Sequence, residues 1–481
     1  MTPRAPQNRL VAIIGATGTG KSDLAVDIAR RYNGEIINGD AMQLYQGLPI
    51  ITNKISHQEM RGVPHHLLGC IGLEEETWTV GKFVQKALSV IDEIRSRQKL
   101  PILVGGTHYY TQSLLFEDAL ADAPSQNENN GVQDLSILDG PTDAILEKLM
   151  EVDPVMADRW HPKDRRKIQR SLEIYLKTGK QASQIYDEQR IKQDVAPENG
   201  TPGSNQPVQH GFRPRFPTLV LWVHAPKDVL YPRLDNRVMK MLDQGLLSEV
   251  ESLNTFRMTS DASTGSPVDQ SRGIWVSIGY KEFKYYHSAL IEGTISKVEL
   301  EKLRTAAIES TQAATRQYAN RQIRWIRIKF LNALYGAGQR GNTFLLDGSD
   351  LSKWEERVLW PATEVTNHFL SDHFLPDPRT LSTVASEMLA PKRDYDLSQR
   401  PELWKKRVCE LCGTIAATEN DWNLHVKSRR HRRAVGTKKH QENHIAERRD
   451  DPESLRMEPT GESVDILESH MDLISEQSSP K

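Results

Sequence analysis

At 481 residues, with 38% hydrophobic and 26% charged residues, the chain has length for about three domains and the balance of a globular protein with much polar connecting material. A net charge of −2 carries no chain-wide nucleic-acid signature, so any basic surface must be local. No apolar run approaches the ~20 residues of a membrane span, and three cysteines, two of them close together, exclude a disulfide scaffold and point to a reducing compartment. The opening MTPRAPQNR has no apolar core for a secretory signal. Its two arginines and lack of acid leave a short transit peptide open.

Residues 10–118 alternate short apolar strands with helices, which predicts a parallel α/β sheet. LVAII leads through a Gly-rich turn into a helix beginning near Lys21. GEIING is a second strand ending at Asp40, and the amphipathic stretch 79–97 precedes a third, PILVGG. At 119–139 the composition shifts to Asn, Asp and Gln, as in a surface insertion. Residues 141–190 read as helical and basic around HPKDRRKIQR. Five prolines at 191–217 mark a loop. TLVLWVHA is a further core strand, and the stretch after it has helical periodicity. Residues 257–272 read as another polar loop. A long helix is expected over 298–329, after which the signal thins until Trp404. Residues 404–440 hold ten Lys/Arg against three acids, and 451–481 hold eight acids against two bases, the pattern of a disordered tail.

Residues 15–22, GATGTGKS, fit G-x-x-x-x-G-K-[ST] between a strand and a helix, the context that motif requires. Gly15, Gly18 and Gly20 let the backbone of Ala16, Thr17 and Thr19 curl so that its N–H groups face an anion. The helix N-terminus adds positive potential. Lys21 supplies a point charge, and Ser22 can hold a Mg²⁺ that bridges phosphate oxygens. The motif specifies a diphosphate or triphosphate without naming its carrier. An ATPase needs a later strand ending in an acid, yet PILVGGT ends in Gly105, Gly106 and Thr107. The acid sits instead at the end of the second strand. Asp40 should face the cradle there, as Mg²⁺ ligand, general base or loop cap.

Together these segments resemble the tRNA dimethylallyltransferases. The matching pieces are GATGTGKS, GDAMQLYQGLPIITNKIS, GVPHHLL, PILVGGTHYYTQSLL, DPVMADRWHPKDRRKIQRSLEIYLKTGK, SIGYKEF and TQAATRQYANRQIRWIR, in family order from residue 10 to about residue 330. TNK before GVPHHLL, and the C-terminal Cys/His segment, are like the eukaryotic branch. Ala41 stands where the family has Ser. The resemblance implies that the phosphates are those of dimethylallyl diphosphate, and that the dimethylallyl group passes to the exocyclic amine of the adenosine 3′ to the anticodon. It implies Asp40 as the base, Thr107 as a hydroxyl beside the reacting centre, and the 15–22 loop with Lys21 and Mg²⁺ on the leaving diphosphate. Lys281 in SIGYKEF is a further diphosphate candidate.

Candidate tRNA contacts are Asp40, Ala41, Met42, Gln43 and Thr107. To these the resemblance adds Arg166, Lys167, Ile168, Gln169 and Arg170, within a run of six Lys/Arg in twelve residues that otherwise reads as a solvated helix face. Arg316 heads a second basic helix with Arg321, Arg324, Arg327 and Lys329. Its interleaved Tyr318 and Trp325 suit either RNA or the sheet. His65, His66 and Cys70 read as structural.

Cys409-x2-Cys412-x12-His425-x5-His431 has two-cysteine, two-histidine zinc spacing. Trp422 and Leu424 offer a miniature core. Lys427, Arg429, Arg430, Arg432 and Arg433 suit phosphate contact or a nuclear localisation signal.

The expected organisation is a P-loop core over 9–118 and 212–345, and a helical tRNA-gripping insertion over 119–211. A linker at 346–403, a zinc finger at 404–440 and a disordered tail at 441–481 follow. The expected protein is a monomeric, membrane-free tRNA-modifying enzyme using Mg²⁺ and a structural Zn²⁺. It is placed in the cytoplasm, with nuclear and mitochondrial pools left open. The sequence leaves two rivals: an ATP-dependent P-loop kinase, disfavoured by the missing strand-end acid, and a non-catalytic RNA-binding zinc-finger protein, disfavoured by the intact loop.

Overall fold

Six parallel strands run β3-β2-β4-β1-β5-β6 in a computed structural model that describes residues 8–117, 135–194, 213–265, 267–391 and 403–438. They are β1 (Leu10–Gly15), β2 (Gly34–Asn38), β3 (His65–His66), β4 (Leu100–Val104), β5 (Thr218–His224) and β6 (Thr343–Asp347). The central strands are apolar throughout because helices cover both faces. Leu10, Ala12, Ile14, Leu103, Val220 and Trp222 point to one layer. Val11, Ile13, Ile102, Leu219 and Leu221 point to the other. Helices Val80–Ser96, Leu246–Thr264, Tyr280–Glu292 and the end of Lys297–Trp325 cover the first face. Helix Lys21–Arg31 covers the second with Leu24 and Ile28.

Two expectations need correction. The stretch 346–403 is not simply a linker. β6 pairs with β5 in parallel, Val220 opposite Thr343 through His224 opposite Asp347. The following helix, Trp360–Leu370, seats Ala362, Val365 and Phe369 on the second face. Only five residues carry the strand, between polar flanks, too short a pattern to mark it in the sequence. Residues 257–272 are likewise helical as far as Thr264. Their serines and threonines make a weak stripe, but Arg257 pairs with Asp261 one turn on at 3.1 Å.

Helices Thr142–Val152, Pro154–Arg159, Arg165–Thr178 and Ala182–Asp194 form the insertion, with a core of its own around Ile145, Leu149, Met156, Ile168 and Leu172. Its buried acid, Asp153, accepts from the Met156 and Ser183 N–H groups at 3.2 and 2.9 Å and so joins two helix starts. The long helix runs Lys297–Trp325 and continues through a π-helical turn, Ile326–Phe330. Of the expected surface insertion at 119–139 and loop at 191–217, residues 119–134 and 195–212 lie outside the described residues, as does the expected tail at 441–481; the described ends are a 3-10 turn, Ser136–Asp139, and the close of helix Ala182–Asp194.

Candidate active site and metal centre

The cradle forms where β1 ends at the switch point of strand order, between β4 and β5. Gly15, at φ +146°, is obligatory: a side chain there would lie 2.3 Å from the Val223 carbonyl. Thr19 Oγ1 donates to the Ala16 carbonyl at 2.9 Å, and Lys21 Nζ donates to the same oxygen at 2.6 Å. The loop is therefore folded, with its lysine inside it. Burial is the chief reason that the Lys21 pKa falls to about 8, with the Asp40 carboxylate pulling the other way.

Asp40 follows β2 in a tight turn. Asn38 accepts from its N–H and donates to its carbonyl, both at 3.0 Å, while the Met42 N–H donates to Asp40 Oδ1 at 3.0 Å. Burial pushes the Asp40 pKa up, against the Met42 N–H and the Lys21 charge. The strands beside it bring the second glycine loop close. The Thr107 hydroxyl accepts from the Ala41 N–H at 3.0 Å, and a side chain at Gly105 would collide with the Gly39 carbonyl at 2.4 Å. Gly106 leaves room for Asp40 Oδ2, which lies 3.2 Å from where its Cβ would be.

Two side chains that the sequence reading did not single out tie this together. Gln322, buried on the long helix, accepts from the Thr17 N–H at 2.8 Å and donates to the Gly106 carbonyl at 2.9 Å. It bridges the phosphate loop and the Thr107 loop. Arg237, on helix Lys227–Asp243, donates to Thr17 Oγ1 at 2.7 Å, and its charge acts on both Lys21 and Asp40. Gln322 lies within the matching segment TQAATRQYANRQIRWIR, and it falls on the helix's buried stripe of small residues (Ala307, Thr311, Thr315, Ala319), the signal that could have singled it out. Tyr318 packs into the same cluster, and burial raises its pKa.

Other candidates fall less neatly. Lys281 is exposed on the first turn of its helix and shares no hydrogen bond or charge interaction with Lys21 or Asp40 among the described contacts. Ile168 is fully buried in the insertion core, so its side chain cannot meet RNA. Arg166 and Lys167 are exposed, and the Arg166 charge reaches Tyr110 of the core helix His108–Leu115. Arg170 pairs with Glu173 at 2.6 Å, and Gln169 donates to the Leu138 carbonyl at 3.2 Å. Arg316 pairs with Asp235. Arg321 and Arg324 face solvent, while Trp325 donates to Gln112 at 3.3 Å. Met42 and Gln43 are half-buried beside Asp40. His66 pairs with Glu35 at 2.6 Å.

In the C-terminal module, β7 (Arg407–Val408) and β8 (Ile415–Ala416) precede helix Glu419–Val426. The ligand atoms of Cys409, Cys412, His425 and His431 all lie within 4.8 Å of one another, a group that could hold a metal. Hydrogen bonds from Thr414 and His431 hold the Cys412 thiol down at about 6. Trp422 is half-buried, but Leu424 is 62% exposed and not in a core. Lys427, Arg429, Arg430, Arg432 and Arg433 are all exposed.

Residues 43–329 match the IPP transferase family model. A tRNA dimethylallyltransferase of Schizosaccharomyces pombe is 38% identical over 448 residues, covering 89% of this chain and 95% of its own. A human tRNA dimethylallyltransferase is 36% identical over 431 residues, covering 88% and 85%. A solved eukaryotic dimethylallyltransferase acting on tRNA superposes with a TM-score of 0.71 at 31% identity, over 92% of this chain and 99% of that one.

Proposed function

From the chain's membership of the IPP transferase family, we propose that this tRNA-modifying transferase moves a dimethylallyl group from dimethylallyl diphosphate to the exocyclic amine of the adenosine 3′ to a tRNA anticodon. The amine forms a bond to the donor's first carbon, the carbon–oxygen bond breaks, and diphosphate leaves. An adenine amine is a weak nucleophile with an unacidic proton, so a carboxylate must accept that proton as attack proceeds. Asp40 takes that part. The Thr17–Ser22 backbone, Lys21 and Arg237 hold the departing charge. Thr107 shapes the acceptor side by fixing the Ala41 N–H.

The observation that carries this reading is the Gln322 bridge. One amide group joins the loop for the leaving group to the glycine beside Asp40. Leaving group and proton acceptor are thereby held in one place, as a displacement requires. A kinase reading has no carboxylate at the end of β4 to support it.

The exposed Ser22 hydroxyl offers a hard oxygen at the mouth of the loop, which fits a Mg²⁺ completed by phosphate oxygens. That ion would offset charge on the leaving diphosphate. Two thiols and two imidazoles at tetrahedral reach fit Zn²⁺ in the C-terminal module. Its exposed arginines, with Arg166 and Lys167 of the insertion, suit the phosphates of an anticodon arm. The reducing compartment implied by the free thiols fits a cytoplasmic enzyme. Purified protein given labelled dimethylallyl diphosphate, Mg²⁺ and an unmodified anticodon stem-loop should label the RNA. Label-free RNA, with phosphoryl transfer from ATP instead, would overturn the reading.

A further inference from the structure

Two helices of the insertion, Pro154–Arg159 and Arg165–Thr178, are joined through Trp160. Its backbone N–H closes the first helix on the Met156 carbonyl at 3.2 Å. Its indole N–H donates to the buried Ser171 hydroxyl at 2.9 Å, which seats the ring against the second helix. The insertion core packs on the same half-buried ring.

Two groups of different origin meet on that ring. Lys167, on the first turn of helix Arg165–Thr178, holds its ammonium 5.0 Å from the ring centre and pairs with Asp164 at 2.9 Å. Trp404, just ahead of β7 in the Cys/His module, lies edge-on to the ring at 5.7 Å. Arg159 fills the space between, 4.5 Å from the Trp404 ring, 5.3 Å from the Trp160 ring and 5.9 Å from that of Tyr186 on helix Ala182–Asp194. Lys406 with Asp158 at 3.8 Å completes the contact. The docking segment runs on into the module's own fold, where Arg407 pairs with Glu419 at 3.0 Å and stands 5.6 Å from the Trp422 ring.

A cation over an indole is held more tightly as water is removed from around the pair. Trp404 takes water from the edge of Trp160 and so strengthens the hold on Lys167. A lysine already held in place loses less rotamer freedom when a phosphate reaches it. Arg166, its exposed neighbour, has no ring contact among the described residues and serves as the comparison.

We propose that Trp160 is a positioning residue for RNA, the junction through which docking of the Cys/His module fixes Lys167, so that module and insertion grip one RNA backbone cooperatively and not as separate basic patches. It rests on reading both surfaces as contacts for a tRNA anticodon arm and adds a physical link between them. The link is reciprocal: RNA held by Lys167 steadies the docked module by the same factor.

The test is a set of double-mutant cycles on the full chain, read as the dissociation constant of an unmodified tRNA anticodon arm at fixed salt. Lys167→Met should weaken binding about fivefold in the native background but at most about twofold in Trp404→Ala, where the lysine is no longer held. Arg166→Met should cost the same factor in both backgrounds. Trp160→Phe keeps a ring and should keep the difference between backgrounds. In Trp160→Leu, Lys167→Met should cost the same small factor with or without Trp404. Equal cost of Lys167→Met in native protein and in Trp404→Ala overturns the proposal. So does an equal shrinkage for Arg166→Met, which would report a loosened insertion and no junction. Should Trp404→Ala not fold, Trp160→Leu takes its place in the cycle. Native binding of the arm with equal costs sinks the junction alone, whereas native protein that leaves the arm unbound sinks the tRNA reading and this proposal with it.

Discussion

The phosphate loop and the C-terminal Cys/His module differ in what holds them. Thr17 alone is gripped from two helices, by Gln322 at its N–H and Arg237 at its hydroxyl, across sequence separations of 305 and 220 residues. The module is instead built from its own neighbours, with ligands from Cys409 to His431. It meets the insertion through one cluster: Trp404 edge-on to Trp160 at 5.7 Å, Arg159 over the Trp404 ring at 4.5 Å, and Lys406 with Asp158 at 3.8 Å. Positioned chemistry needs long-range bracing, whereas the proposed phosphate-contacting surface needs only charge and a place to hang. Changes in the first region should therefore strike turnover, and changes in the second should strike tRNA affinity.

The largest effect is expected at the acid. Asp40→Asn keeps the turn's acceptor for the Met42 N–H but cannot take a proton. Single-turnover transfer should slow by ~10²–10⁴-fold while tRNA binding holds. A near-normal rate would remove Asp40 from the base role.

Next comes Lys21. Its replacement by Ala should weaken donor binding roughly 10- to 100-fold, since a hydrogen bond to a charged group is worth ~1.5–3 kcal/mol, and leave tRNA affinity alone. Its lowered pKa of about 8 also sets a pH limit. The lysine is charged below that value and loses its charge as pH rises through it, so kcat/KM for the donor should fall on the alkaline side. Asp40 must be ionised, and its raised pKa moves the acid limb above the ordinary carboxylate value. Lys21→Arg stays charged and should flatten the alkaline limb. An alkaline limb that persists in Lys21→Arg assigns it to another group.

Smaller effects belong to the module. Cys409→Ser with Cys412→Ser should unfold it, because a unit this small would depend on the Zn²⁺ proposed for it. The tRNA concentration for half-maximal rate should rise several-fold, and the fall of binding with salt should become shallower as Lys/Arg contacts are lost. Turnover at saturating tRNA should not change. Trp404→Ala, which cuts only the hinge to the insertion, should move the same quantity by less. An effect of Trp404→Ala on saturated turnover would mean that the module reaches the chemistry.

The same contrast explains what could be read from sequence. GATGTGKS and the Cys409, Cys412, His425 and His431 group are local patterns, each complete within a short stretch. Asp40 was legible because strand ends carry ligands in such sheets. Arg237 and the bridging role of Gln322 were not, because each acts across hundreds of residues: Arg237 is an ordinary helical Arg in its own segment, and the segment TQAATRQYANRQIRWIR marks Gln322 without saying what it touches. β6 was missed for the related reason that its five residues acquire meaning only from pairing with β5. Ile168 shows the converse: within a basic run, helical periodicity turns one member inward, which the charge pattern alone does not reveal.

The most direct test of the account compares Asp40→Asn with the Cys409→Ser, Cys412→Ser double variant in one assay. Single-turnover dimethylallyl transfer is followed at saturating donor and tRNA. The account predicts collapse of the rate in Asp40→Asn and a native rate in the double variant. Native transfer by Asp40→Asn, or collapse in the double variant while tRNA binding holds, would contradict it.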